Sequence, residues 1–210
     1  MNILITGGAG YIGSVLVPIL LNKNFHVTVL DNFLFKQNSI QKLEQNKNFK
    51  IVNGDVRDKK TVKELLSKAD LIIPLAALVG APLCDKFPKD AKEVNLESIS
   101  FLNSQLSKDQ HVILPVSNSG YGIGKPGEFC TEQSPLNPIS LYGRTKVQSE
   151  KIIMERENSV SFRLATVFGM SPRMRTDLLV NYFVNKAITE KKIEIFEGNF
   201  KRNYVHIKDV

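Results

Sequence analysis

Tyr142 and Lys146 stand four residues apart, downstream of Ser117, and a glycine cluster, Thr6-Gly7-Gly8-Ala9-Gly10-Tyr11-Ile12-Gly13, opens the chain. An i, i+4 pair lies on one face of a helix, so phenol and ammonium can project into one cleft. An unperturbed tyrosine has a pKa of about 10, too high for a general base near neutrality. A neighbouring ammonium favours the phenolate and lowers that pKa. The Ser117 hydroxyl would hold the oxygen of a substrate. These three groups suit alcohol–ketone chemistry, and the glycines imply a nicotinamide cofactor to go with it. Taken alone, Tyr-x-x-x-Lys is a common helical surface spacing; the glycine cluster upstream selects the chemical reading.

Gly7, Gly10 and Gly13 follow directly on an apolar strand and open a helix. Glycines there permit a tight turn, close backbone approach to a pyrophosphate, and close helix–strand packing. The helix N-terminus then offers N–H groups and a positive dipole end to phosphate. No Gly-Lys-Ser/Thr follows, which argues against a P-loop. Asp31 ends the second apolar run, where a carboxylate accepts hydrogen bonds from the adenosine ribose hydroxyls and repels a 2′-phosphate. Asp31-Asn32 with no adjacent Arg therefore favours NAD over NADP.

The elements that position these residues alternate along the chain. Strand-like runs are Asn2–Thr6, His26–Leu30, Phe49–Val52, Leu71–Leu75, His111–Val116, Val160–Ala165 and Ile193–Phe196. Helix-like stretches lie near 11–22, 58–68, 89–107, 140–157 and 176–190. Short apolar runs separated by helices imply parallel strands buried on both faces with right-handed crossovers. The fold class is therefore α/β, a Rossmann-type doubly wound parallel sheet. Residues 117–140, rich in Gly and Pro (Pro126 and Gly127 among them), read as a loop over the carboxyl edge of the fifth strand. Residues 1–165 form the NAD-binding domain, and 166–210 read as the start of a small C-terminal substrate lobe. In that lobe a turn at Glu197-Gly198-Asn199 leads to a second strand at Tyr204–Ile207. Lys208-Asp209-Val210 reads as the opening of a helix, so the chain is expected to be cut within its substrate lobe.

Composition excludes several classes. A hydrophobic content of 42% and a charged content of 23% over 210 residues describe an ordinary globular chain with a real core. No apolar run reaches the roughly 20 residues of a membrane span, and a strand from the first residues leaves no room for a signal peptide; a cytoplasmic protein is expected. The net charge of +7 comes from lysines interspersed with acids, a solvated exterior rather than a nucleic-acid surface. Basic residues around a cleft would still attract an anionic substrate. Cys84 and Cys130 read as free thiols, and the scattered His26, His111 and His206 leave no metal site in view.

Read in order, Thr6–Gly13, Leu30-Asp31-Asn32, Gly54-Asp55-Val56-Arg57-Asp58, Leu75-Ala76-Ala77, Ser117–Gly122 and Tyr142-Gly143-Arg144-Thr145-Lys146 resemble an extended short-chain dehydrogenase/reductase of the nucleotide-sugar epimerase/dehydratase kind. The resemblance covers essentially the whole chain. It implies backbone contacts from Tyr11 and Ile12 to the pyrophosphate, with Asp55 and Val56 at the adenine. It also implies Leu75, Ala76 and Ala77 at the nicotinamide-side ribose. Ser117 and Tyr142 would be catalytic, and Lys146 would both lower the Tyr142 pKa and bond the cofactor ribose. Asn95 is implied in a structural, backbone-bonding role, Asn181 and Arg202 at the substrate diphosphate, and Arg173 and Arg175 as added positive charge at that mouth. Lys86, Cys84 and the phenylalanines read as structural or surface.

Two departures narrow the reaction that the resemblance implies. Sugar 4,6-dehydratases place Asp-Glu directly after the catalytic Ser/Thr, and related decarboxylases use a Glu there. This chain has Asn118 and Ser119. What remains is NAD-dependent epimerisation of a nucleoside-diphosphate sugar through a keto intermediate. The alternatives are a sugar-nucleotide dehydrogenase or ketoreductase, and a non-catalytic NAD-binding regulatory protein, which would not need all of Ser117, Tyr142 and Lys146. Relatives pair two helices across a two-fold axis, so a homodimer is expected, through apolar residues such as Ile99, Leu102, Leu106, Val147, Ile152 and Ile153. A chain lacking most of the substrate lobe would be weakly active or inactive by itself.

Overall fold

The computed structural model describes residues 1–124, 128–196 and 198–210. Pro126 and Gly127 of the predicted loop and Glu197 of the predicted turn lie outside the described residues. Strands β1 (Asn2–Thr6), β2 (His26–Asp31), β3 (Phe49–Asn53), β4 (Leu71–Pro74), β5 (His111–Ser117) and β6 (Ser159–Leu164) form one sheet in the order β3-β2-β1-β4-β5-β6. Every pairing is parallel. This is the Rossmann-type doubly wound sheet expected from the sequence.

Its strands are apolar on both faces because helices cover both. Ile3 and Ile5 point into one core with Val27, Val29 and Ile73, under Val17 and Leu21 of helix α1 (Gly13–Asn22). Leu4, between them, points into the other core with Leu30, Ile72 and Leu114. Helices α2 (Lys59–Leu66), α5 (Ser98–Gln105) and α6 (Leu141–Met154) supply Val62, Leu66, Ile99, Leu102 and Ile153 to that second core. Each fully buried aliphatic side chain contributes roughly 1.5–3 kcal/mol. The ends of these helices are set locally. The Asp58 carboxylate caps α2 by accepting from the Lys60 and Thr61 N–H groups, and Ser140 Oγ caps α6 by accepting from Gly143 at 3.0 Å.

The predicted helix near 89–107 is broken up. Pro82 and Pro88 sit in the first turns of two short helices, α3 (Ala81–Lys86) and α4 (Pro88–Lys92). A π turn at Glu93–Glu97 then leads into α5. The wide turn lets Asn95 face the loop after β4, where its amide accepts from Leu78 N–H at 2.8 Å and donates to Leu78 C=O at 2.9 Å. A π turn in a helix often marks such a local demand.

The C-terminal region differs more from expectation. Ile193–Phe196 is not a strand: Ile193, Ile195 and Phe196 are exposed and find no neighbouring ladder among the described residues. Alternating apolar residues favour extension, but a strand needs a partner for its N–H and C=O groups. Instead β7 (Thr166–Phe168) pairs in parallel with β8 (Tyr204–His206) as a separate two-stranded sheet, with α7 (Leu179–Thr189) between them in sequence. Lys208–Val210 follows as a turn in which Val210 N–H donates to His206 C=O at 3.3 Å.

Candidate active site

The strand order reverses between β1 and β4, and in open α/β sheets ligands lie at the carboxyl edge of that reversal. Thr6 is in register with Leu30 on one side and Pro74 on the other. The glycine turn, Asp31 and Leu75–Ala77 therefore leave the sheet side by side. Gly7 has φ +69°, and a Cβ on it would lie 2.5 Å from the Ala76 nitrogen; one on Gly13 would lie 2.4 Å from the Gly8 carbonyl oxygen. Both positions demand glycine for close backbone packing. A Cβ on Gly10 would meet a single protein atom, Gly7 O at 3.1 Å, so its other side is open to a ligand. Helix α1 begins without a side-chain cap; the Ser14, Val15 and Leu16 N–H groups donate to the Gly10 and Ile12 carbonyls, so the positive end of the helix dipole is what it offers an outside anion.

Asp31 is buried at the end of β2. Its Oδ2 accepts from Ala9 N–H at 2.9 Å, and its Oδ1 accepts from Phe33 N–H at 2.9 Å and Gln37 Nε2 at 3.2 Å. Burial raises the carboxyl pKa, while those hydrogen bonds and the charge of Arg173 oppose the rise. Asn32 links this corner to the next strand by donating to Asp55 Oδ2 at 3.1 Å. Arg57 grips both Asp55 oxygens at 2.9 Å, and its hydrogen bonds hold that carboxyl down to about 2. Arg57 also reaches Asp90 and Glu93, tying α4 to the loop that carries Asp55 and Val56.

The proposed reacting groups converge on the same edge. Ser117 ends β5, where its Oγ accepts from Ser119 N–H at 3.2 Å and lies near enough to the Tyr142 phenol to lower its pKa. Tyr142 and Lys146 leave α6 on one face; Tyr142 packs beside Leu78, Cys84 and Val94. Burial pushes the Tyr142 phenol up to about 12, against smaller opposing pulls from Arg175 and Ser117. Burial likewise brings Lys146 down to about 8. Both neutral forms are favoured because both groups have been taken out of water. Cys84, read from sequence as structural, is a buried thiol close enough that its thiolate form would raise the pKa of both, and burial holds it in the neutral form.

Of the substrate-side residues, Asn181 is buried and committed to protein. Its Oδ1 accepts from Gly169 N–H at 3.0 Å, and its Nδ2 donates to Tyr11 Oη at 3.1 Å and Arg175 C=O at 2.9 Å. A direct substrate contact would have to displace one of these bonds. Arg202 is exposed, and its neighbour Asn203 accepts from Asn118 Nδ2 at 2.7 Å, which brings that segment alongside the loop after Ser117. Sequence reasoning placed Arg175 at a diphosphate; the structure places its charge within reach of both Tyr142 and Tyr11. No local signal could have shown this, because the contact is long-range. A separate surface hollow lined by Ser67, Asp70, Gln105 and Gln110 lies at the amino end of the strands, away from all of these groups.

Comparison with known proteins agrees with this geometry. A model of the NAD dependent epimerase/dehydratase family matches residues 3–210. The chain belongs to that family. A putative UDP-glucose 4-epimerase of Methanocaldococcus jannaschii is 29% identical, the match covering 99% of this chain and 70% of the relative. The solved UDP-glucuronic acid 4-epimerase of Bacillus cereus, in complex with UDP-glucuronic acid and NAD, superposes with a TM-score of 0.86 at 28% identity. That match covers 100% of this chain and 70% of that one. DesIV, a dTDP-glucose 4,6-dehydratase of Streptomyces venezuelae with NAD and TYD bound, superposes equally well, with a TM-score of 0.86 at 25% identity over 100% of this chain and 69% of that one. The cofactor of the family is NAD, and the residues present here fit it. The side of Gly10 away from Gly7 is open, the start of α1 is uncapped, and a buried carboxylate ends β2.

Proposed function

We propose that this chain binds NAD and epimerises the sugar of a nucleoside diphosphate sugar through a transient keto sugar. The observation that carries the reading is Ser117 at the end of β5 acting on the Tyr142 phenol, with Lys146 one turn further along α6 and with Asn118 and Ser119 where an acid and a base would be needed for dehydration. The Asn118 amide is bonded to Asn203 and can neither give nor take a proton near neutrality. NAD, when bound, supplies an acceptor that takes a hydride from the carbinol carbon and returns it. Tyr142 would take the hydroxyl proton as its phenolate, a form that Arg175 and the positive charge of an oxidised nicotinamide would favour against burial, and would give the proton back after the ketone has turned over. Ser117 holds the sugar oxygen between those events. Lys146 would bond the cofactor ribose, and it carries its charge below about pH 8.

The names of the relatives make UDP-sugars the first substrates to assay. Purified protein is incubated with UDP-glucose and UDP-glucuronic acid, and the products are resolved by NMR. A new 4-epimer without net NADH supports the proposal. Accumulating NADH with an oxidised sugar would assign a dehydrogenase instead, and an unchanged sugar in the presence of bound NAD would favour the non-catalytic alternative.

Further parts of the reading are ours as well: an NAD-binding unit over 1–165, a partial substrate unit over 166–210, and a cytoplasmic homodimer. The division is supported by the main sheet ending at Leu164 and the second beginning at Thr166. Among the described residues, no helix is long and apolar enough to cross a membrane. Of the residues expected at the dimer face, Ile99, Leu102, Val147 and Ile153 are buried within the protomer itself. Leu106 and Ile152 are half-buried and Met154 is exposed, and these remain for a two-fold contact.

A further inference from the structure

The segment 169–175 is fastened to the glycine turn by contacts that the reaction itself does not require. Tyr11 Oη donates to Gly169 C=O at 2.7 Å, and Ser171 Oγ donates to Tyr11 C=O at 2.8 Å. The Ser171 and Ser14 hydroxyls lie 2.9 Å apart, and Arg173 N–H donates to Ser171 Oγ at 3.2 Å and Ser14 Oγ at 3.4 Å. From this anchorage the Arg173 guanidinium lies over the Phe35 ring, 4.5 Å from its centroid. Its charge is felt by Asp31. Yet the Asp31 oxygens are taken by Ala9, Phe33 and Gln37, and no ion pair joins them to Arg173 among the described residues. Arg175, close by, is paired to Asp177 and repels Arg173. Arg173 Nη1 donates to Met174 C=O at 3.4 Å, and Asp177 and Asp31 act on it without an ion pair. A half-buried guanidinium held against an aromatic ring, with no carboxylate paired to it among the described residues, is arranged for an anion from outside.

We propose that Arg173 is a cofactor-binding residue of this chain: with Phe35 it closes the adenosine end of the dinucleotide site and offers its guanidinium to the phosphate groups of the cofactor. The inference rests on the NAD reading above. It has two consequences. Bound cofactor leaves slowly, because the closed segment must open first. In addition, the cation offsets part of the repulsion that Asp31 exerts on a 2′-phosphate.

The test is stopped-flow displacement of NADH by excess NAD, followed by NADH fluorescence, with NADPH affinity measured beside it. Arg173→Met keeps the packing on Phe35 and removes the charge. Release of NADH should accelerate about tenfold, NADPH affinity should fall by more than NADH affinity, and Arg173→Lys should recover part of both. Unchanged release from Arg173→Met, in a variant with the wild-type melting curve, overturns the proposal. Asp31→Ala separates the two readings. If it weakens NADH while Arg173→Met does nothing, the NAD site stands and the clasp falls; if wild-type protein binds no NADH, both fall. Equal losses of NADH and NADPH on Arg173→Met would remove the guanidinium from the 2′ position and leave it at the diphosphate, where the accelerated release still supports the clasp.

Discussion

At the adenosine end of the cleft, Asp31 is buried but satisfied: three N–H donors hold its two oxygens, and the neighbouring Asp55 is gripped by Arg57. At the catalytic end, Lys146 is buried and Tyr142 half-buried, both receive little in return, and both drift toward their neutral forms. The first corner is pre-organised to recognise. Its polar atoms are fixed before a ligand arrives, so little ordering remains to be done on binding. The second is poised to exchange protons. A phenol and an amine in a dry pocket respond strongly to any charge brought beside them, because the low local dielectric magnifies it. One end should therefore govern affinity, and the other turnover.

The sharpest way to break that contrast is Tyr142→Phe, which removes only the phenolic oxygen. Turnover should fall about 10³-fold, the scale of general acid–base catalysis, while NADH affinity stays within about twofold by fluorescence titration. Near-wild-type rates would remove Tyr142 from the proton path. Asp31→Ala is the converse. NAD affinity should drop roughly tenfold, the worth of one charged hydrogen bond of about 1.5 kcal/mol, with kcat at saturating NAD little changed. The wild type should bind NAD at least about tenfold tighter than NADP, and equal affinities would remove Asp31 from the ribose.

Lys146 offers a pH signature. Its folded pKa, about 8, lies below its ordinary value of 10.5, so between these pH values the unfolded chain binds the extra proton. The stability of the cofactor-free protein should then rise from about pH 8 toward pH 10 in urea titrations. Lys146→Met should flatten that rise, and a profile identical in the two proteins would mean that the amine is not desolvated. The smallest effect belongs to the other end. Asp55 is held down to about 2 by Arg57, so the stability it adds is present above its ordinary pKa of 3.8 and is lost as pH falls toward 2. Arg57→Met should flatten that loss and lower stability above pH 4 by about 1 kcal/mol or less, since the pair is partly exposed. A pH profile of stability that does not change would show the ion pair to be energetically idle.

The dimer face shows what a residue pattern leaves open when its surroundings are missing. Apolar residues on α5 and α6 were legible as a buried stripe, but burial against the protomer's own sheet and burial against a second copy leave the same pattern in the sequence. Ile193–Phe196 failed for a related reason, since extension needs a partner strand, and the partner of β7 proved to be Tyr204–His206.

The sequence by itself determined the six main strands, the glycine turn and the candidates Ser117, Tyr142 and Lys146. These depend on apolar runs, turn chemistry and spacing within a few residues, all short-range physics. Only the tertiary structure decided what charge each group feels. Arg173 comes to Phe35 and Asp31 because Tyr11 and Gly169, 158 positions apart, are joined by a hydrogen bond. The Tyr142 and Lys146 shifts are both set first by desolvation, which is a property of everything packed around a side chain rather than of its neighbours in the chain.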